Sequence, residues 1–158
     1  MIVRRHCGCG LYVLIPVLTV LILGSCATPP VVFDAPEGFA SYVDEGRQGA
    51  ISPEGVILSA YRTENEPVQD LAFWTEAVER HLVTSGYLLL YTGDFATSNL
   101  DGRYFEWLGP VGQDDWVYLT AFYVEGDAIV IVEAAGPYDI YGRYRDAIRE
   151  SLQTIALR

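Results

Sequence analysis

The stretch WVYLTAFYVEGDAIVIVEA, residues 116–134, decides the fold class. Trp116 to Val124 and Ala128 to Ala134 are rich in aromatic and β-branched residues, and Glu125-Gly126-Asp127 between them is a good hairpin turn. Ile129-Val130-Ile131-Val132 is continuously apolar, the mark of a central strand buried on both faces.

Working outward, Gly136 and Pro137 break the strand pattern, and Asp139 is placed to cap a last helix running to about Ile155. Its apolar stripe is Tyr141, Tyr144, Ile148, Leu152 and Ile155, with Ala147 beside it, and Asp139 and Arg143 form an i,i+4 pair. Upstream lie a loop from Gly109 to Asp115, a strand from Tyr104 to Leu108, a turn from Asn99 to Gly102 and a strand from Tyr87 to Tyr91. Asp70 caps a helix from Leu71 to Ser85 that Gly86 ends, with Leu71, Trp74, Val78 and Leu82 on one face and the pair Glu76–Arg80 on another. Val56 to Arg62 follows the turn Ser52-Pro53-Glu54-Gly55, and Phe39 to Val43 is a first short strand. This order predicts an α+β domain: an antiparallel sheet of about six strands flanked by two helices.

The start of the chain reads differently. Arg4 and Arg5 precede Leu11 to Leu23, an uncharged run of signal-peptide length that is short of the roughly 20 residues of a bilayer-spanning helix. It ends in Leu23-Gly24-Ser25-Cys26, which resembles the bacterial lipobox. The resemblance implies a diacylglyceryl thioether on Cys26, cleavage after Ser25 and acylation of the new amine. Two or three acyl chains anchor stably where one is marginal. The expected organisation is therefore a lipoprotein signal peptide at 1–25, a lipidated Cys26 with an extended Pro-containing tether at 26–38 (Pro29, Pro30, Pro36), and one domain at 39–158. Ala27 stands where an Asp would favour inner-membrane retention, so the outer membrane is favoured if the host is Gram-negative. Cys7 and Cys9 fall in the leader, which leaves no thiol pair for a disulfide.

Several features of the domain resemble the PsbP/DcrB-like α/β/α sandwich superfamily. They are Gly38-Phe39 with Tyr42, Ser52-Pro53-Glu54-Gly55-Val56 leading into Asn65-Glu66-Pro67, Phe73-Trp74, Gly86-Tyr87, Gly102 before an aromatic strand, and Glu133-Ala134-Ala135-Gly136 before the last helix. These are turn residues and core aromatics, spread over about Pro36 to Ile155. The superfamily's members are mostly binding or assembly proteins, so the resemblance implies a non-catalytic interaction domain with no cofactor, supporting an envelope assembly.

Composition sets the chemistry. All 10 basic residues among the 158 are Arg, so imine formation and a Walker-type phosphate loop are excluded for want of a Lys. Removing residues 1–25 takes away two Arg and no acid, moving the formal charge from −11 to −13, the wrong sign for nucleic acid. Zinc sites lack ligands. Asp94, Asn99 and Asp101 offer oxygen ligands to calcium, but without EF-hand spacing they read as a plain turn. Asp114 with Asp115, or Glu106 with Glu133, are the acids a carboxylate-based hydrolase of envelope glycans would use, the alternative to a binding role. Adjacent acids are more simply a solvated turn, and His81 a packing or hydrogen-bonded residue beside the helix's apolar stripe. Tyr, Trp and Arg anchor interfaces. Trp107 and Trp116 bracket one hairpin end, and Tyr138, Tyr141, Arg143 and Arg145 open the last helix, which makes these six the candidate interaction surface for an envelope protein or small ligand.

Overall fold

The hairpin at 116–134 lies at the middle of the molecule. The computed structural model describes residues 30–97 and 99–158. The described residues form nine strands and two helices in the order β1 (Val31–Val32), β2 (Ala40–Asp44), β3 (Arg47–Ile51), β4 (Ile57–Glu64), α1 (Leu71–Thr84), β5 (Leu88–Ala96), β6 (Asp101–Val111), β7 (Asp114–Glu125), β8 (Ala128–Pro137), α2 (Tyr138–Leu152) and β9 (Ala156–Leu157). Seven strands form one antiparallel sheet in the order β2-β3-β4-β8-β7-β6-β5, and β1 pairs with β9. Strand β8 is the fourth of the seven, so the apolar run at 129–132 is central as expected.

Alternation along the strands sends side chains to opposite faces. Val117, Leu119, Ala121 and Tyr123 of β7 join Val130, Val132 and Ala134 of β8 in the core under α2, where Tyr141, Ile148 and Leu152 are buried. Phe105, Trp107, Phe122 and Ile129 form a second core under α1, covered by Leu71, Trp74, Val78 and Leu82. No residue of α1 is fully buried, so its layer is the looser one. Asp70 caps α1 by accepting the Phe73 N–H at 2.9 Å, and Gly86 ends the turn after it at φ +90°.

Several boundaries differ from the sequence expectation, among them β5, which runs on to Ala96 instead of stopping at Tyr91, and β6, which starts at Asp101 inside the expected turn. Strand β3 adds a seventh strand to the sheet. It is short, opens on the polar Arg47 and Gln48, and Gly49 is needed because a Cβ there would lie 2.3 Å from the Tyr42 ring across the hairpin. The supposed loop 109–115 is mostly strand, since β6 and β7 pair out to Val111 and Asp114 and leave only Gly112-Gln113 to turn. Helix α2 starts on Pro137 without a side-chain cap, Asp139 lying in its first turn, and it stops at Leu152, though Ile155 is still buried. Finally, the fold begins before residue 39. Val31 and Phe33 are in the core, β1 pairs with the last strand, Gln48 Nε2 donates to the Phe33 carbonyl at 2.6 Å, and the Ser151 hydroxyl donates to the Asp34 carbonyl at 2.6 Å. The partners of this segment are remote in sequence, so local periodicity could not reveal them. Residues 1–29, with the leader and Cys26, lie outside the described residues.

Phe33→Ala should therefore lower stability by about 3–5 kcal/mol, the usual cost of emptying a buried Phe site. Urea unfolding followed by circular dichroism measures it. A loss under about 1 kcal/mol would return this segment to the tether.

Candidate functional site

The six residues proposed as an interaction surface do not form one patch. Trp107 is fully buried in the α1-side core, stacked on Phe105 at 5.3 Å, and Tyr141 is fully buried under α2. Both are packing residues, a correction that follows from strand and helix registers the sequence alone does not pin. Trp116 is half-buried at the start of β7. Tyr138 and Arg143 are exposed on α2, with Arg143 3.9 Å from Glu54. Arg145 turns inward instead, to Glu106.

Glu106 is the most buried charge described. Its carboxylate is fully enclosed and accepts from Arg145 Nε at 2.9 Å and Arg149 Nε at 2.8 Å. The exposed Tyr91 ring lies over both guanidinium groups, at 4.9 and 5.2 Å. One carboxylate thus neutralises one of two arginines and ties α2 to β6. Neither Arg149 nor Tyr91 was singled out in the sequence. Charges on a helix have by pattern alone the character of a wet side, and only the strand register shows that Glu106 faces them.

Glu133 cannot work with Glu106. On β7, Glu106 pairs opposite Leu119 and Glu133 opposite the next residue, Thr120, so the two acids project from opposite faces of the sheet. Glu133 accepts the Tyr118 hydroxyl, and burial first, then this bond, pushes the Tyr118 phenol well above its ordinary range. Asp114 and Asp115 are exposed beside the β6–β7 turn. Asp94 pairs with Arg103 at 3.0 Å, and among the described residues no three His, Cys, Asp or Glu side chains gather as a metal site. His81 is exposed rather than packed.

The feature that stands out is a groove beside α1. The helix packs over β6 and leaves the sheet face towards β4 and β8 partly open. Two adjoining cavities of about 310 and 400 Å³ run there and share Trp74, Val78 and Thr120. The first is floored by Phe122, Ile129 and Ile131, and the second continues along Ala77, Leu82 and Tyr118 to His81. Such volumes fall within or near the range of small-molecule sites. Trp74 is fixed in the wall because its indole N–H donates to Asn65 Oδ1 at 2.8 Å. Asn65, itself buried, also donates to the Gln69 and Gly126 carbonyls at 2.9 and 3.0 Å, pinning the start of α1 to the β7–β8 turn. The Thr120 hydroxyl is buried in the groove floor with no protein partner.

No family model and no curated protein sequence matches the chain. Solved structures do match at the level of fold. LpqN, involved in cell envelope biogenesis of Mycobacterium tuberculosis, is 10% identical with a TM-score of 0.66, covering 85% of this chain and 87% of its own. A protein of unknown function from Pseudomonas aeruginosa, PA94, is 11% identical with a TM-score of 0.59, covering 76% of this chain and 97% of its own. Cyanobacterial PsbP from Synechocystis is 8% identical with a TM-score of 0.52, covering 85% of this chain and 96% of its own. The fold is α+β and PsbP-like, a seven-strand antiparallel sheet with two helices.

Two measurements check these interactions. Glu106→Gln leaves two inward-facing guanidinium groups without a counter-charge and should cost about 3–5 kcal/mol in urea unfolding, the scale for breaking a buried pair. A near-neutral result would mean water already solvates the arginines. Alkaline pH supplies the second. Burial, and then Glu125, push the Tyr123 phenol up to about 12 from its ordinary 10.0, and burial first of all raises those of Tyr118 and Tyr141 in the same direction. A raised folded pKa holds the neutral form, so this stability is complete below pH 10 and is lost as pH climbs from 10 towards 12. Melting temperature should fall over that interval, and Tyr123→Phe should flatten part of the fall.

Proposed function

We propose that this is a lipid-anchored cell-envelope protein whose domain acts by binding a protein or ligand rather than by catalysis, in support of envelope assembly. The single observation that carries the binding role is the open apolar groove between α1 and the sheet, walled by Trp74 and Val78 and floored by Phe122, Ile129 and Ile131. Apolar surface left uncovered on a folded domain marks a contact site. The lipid anchor rests on Leu23-Gly24-Ser25-Cys26 and on the short apolar run before it. No helix among the described residues is long and apolar enough to cross a membrane, so attachment in this reading depends on acyl chains at Cys26. The fold likeness to LpqN, an envelope-biogenesis protein, agrees with it. A glycan hydrolase is disfavoured because Glu106 is locked by two arginines and Glu133 lies on the other face.

Cys26→Ser should abolish incorporation of labelled fatty acid and release the protein from washed membranes. Retention of the Ser variant in the membrane fraction would sink the anchor. For the binding role, a photoreactive residue at Ala77, in the groove, should crosslink one specific species in cells, and the same residue at Arg143, on the other helix, should not. Photochemistry is required because the chain has no Lys for amine reagents. Indistinguishable crosslinking at the two positions would count against the groove as the contact site.

A further inference from the structure

The sheet carries two acids at neighbouring registers and provides for them unequally. Glu106, on the α2 face, has two arginines. Glu133 lies on the α1 face with Ile129 and Ile131, is half-buried, and has no cationic partner among the described residues. Its neighbours are two phenols. Tyr118 donates to its Oε1, and Tyr61 stands on the other flank, where burial first and then the charge of Glu133 push the phenol above its ordinary range. Neither brings a positive charge. Arg47 lies over the Tyr61 ring at 4.2 Å and forms no ion pair with the carboxylate. A carboxylate taken out of water is costly unless a cation compensates it.

Glu133 stands at the rim of the groove. It pairs across the ladder with Thr120, which lines both cavities, and Tyr118 lines the second. Residues opposed in this way hold their Cβ atoms about 5 Å apart. Thr120 is only 8% exposed, and its hydroxyl has no partner. Glu64 lines the first cavity, no Arg lines either, and the one basic side chain along them is the exposed His81. The space thus combines an apolar floor, two aromatic rings and uncompensated negative charge.

We infer that the groove takes a small organic cation, an ammonium head on an apolar body, with the head at Glu133 and the body against Trp74, Phe122 and Ile131. The inference rests on the groove being a binding site and names the class of its ligand. The ammonium supplies the charge that Glu133 lacks, and the Thr120 hydroxyl is a further acceptor across the ladder. The rings of Trp74 and Tyr118 attract a cation placed near their faces. An anion would be repelled by Glu133 and Glu64, and a neutral body would cover Glu133 without compensating it. Cavities of about 310 and 400 Å³ suit a small molecule, so the occupant is a free amine rather than a segment of a partner protein.

Three probes with one body and different heads test this: 4-phenylbutylamine, 4-phenylbutan-1-ol and 4-phenylbutanoate. The full chain in phosphatidylcholine nanodiscs is titrated with each by calorimetry, with empty nanodiscs as the blank. The amine should bind saturably and at least tenfold more tightly than the alcohol, and the butanoate more weakly than both. Glu133→Gln, which keeps an acceptor for Tyr118, should bring the amine to the affinity of the alcohol and leave the alcohol unchanged. Ala77→Arg, in the groove wall, should weaken the amine and tighten the butanoate, with circular dichroism unchanged. Equal affinity for amine and alcohol overturns the inference, as does a preference for the amine that survives Glu133→Gln. Failure of the amine alongside specific crosslinking at Ala77 in cells would mean that the groove holds a different partner, and only the cation falls. Failure of all three probes together with indistinguishable crosslinking removes the groove as a binding site and this inference with it.

Discussion

Strand β8 has no free edge, and only one of its faces is fully covered. Strands β4 and β7 pair along its two sides, and both of its faces carry aliphatic side chains that must be covered. One cover is α2, which buries Tyr141, Ile148 and Leu152 against Val130, Val132 and Ala134. The other is α1, which contributes no fully buried residue and reaches Ile131 only from the side. This imbalance between two helical layers shapes the rest of the molecule. A closed core on one side gives stability, and a half-covered face on the other gives a place to bind.

The two sides are also held by different chemistry. On the closed side, the Glu106 carboxylate clamps Arg145 and Arg149 of α2 to β6. A buried charge that must be paired fixes the helix in one register more firmly than apolar packing alone, although its net contribution to stability is modest. On the open side, a neutral hub does the fastening. Asn65 satisfies both its amide hydrogens and accepts from Trp74 and from the Gln69 N–H at 3.1 Å. That fastens only the first turns of α1. The remaining turns rest on Val78 and Leu82 over the sheet, so the groove wall is firm at the Trp74 end and looser towards His81.

Much of the fold was legible because it is written in short-range patterns. The hairpin at 116–134, the Asp70 cap, the Gly86 stop and the stripe of α1 each depend on residues within a few positions of one another. Strand β3 was not legible, because Gly49 and Gln48 have little strand character and the strand exists only between two partners. The role of Val31 and Phe33 was hidden by the prolines around them, and it appears only when β9 returns from the far end of the chain. For the candidate site the division is sharper. Trp107 and Tyr141 have the composition of interface anchors, yet their register puts them inside.

By itself, then, the sequence determined the α+β class, the central position of the 129–132 strand, the Lys-free acidic surface and the lipobox-like Leu23-Gly24-Ser25-Cys26, because each is a property of composition or of local spacing. Only the tertiary structure decided which acids are buried and paired, that Glu106 and Glu133 face opposite ways, and that an apolar groove stays open beside α1. The physical reason is that a one-residue step in strand register exchanges the two faces of a sheet, and register is set by partners distant in the chain.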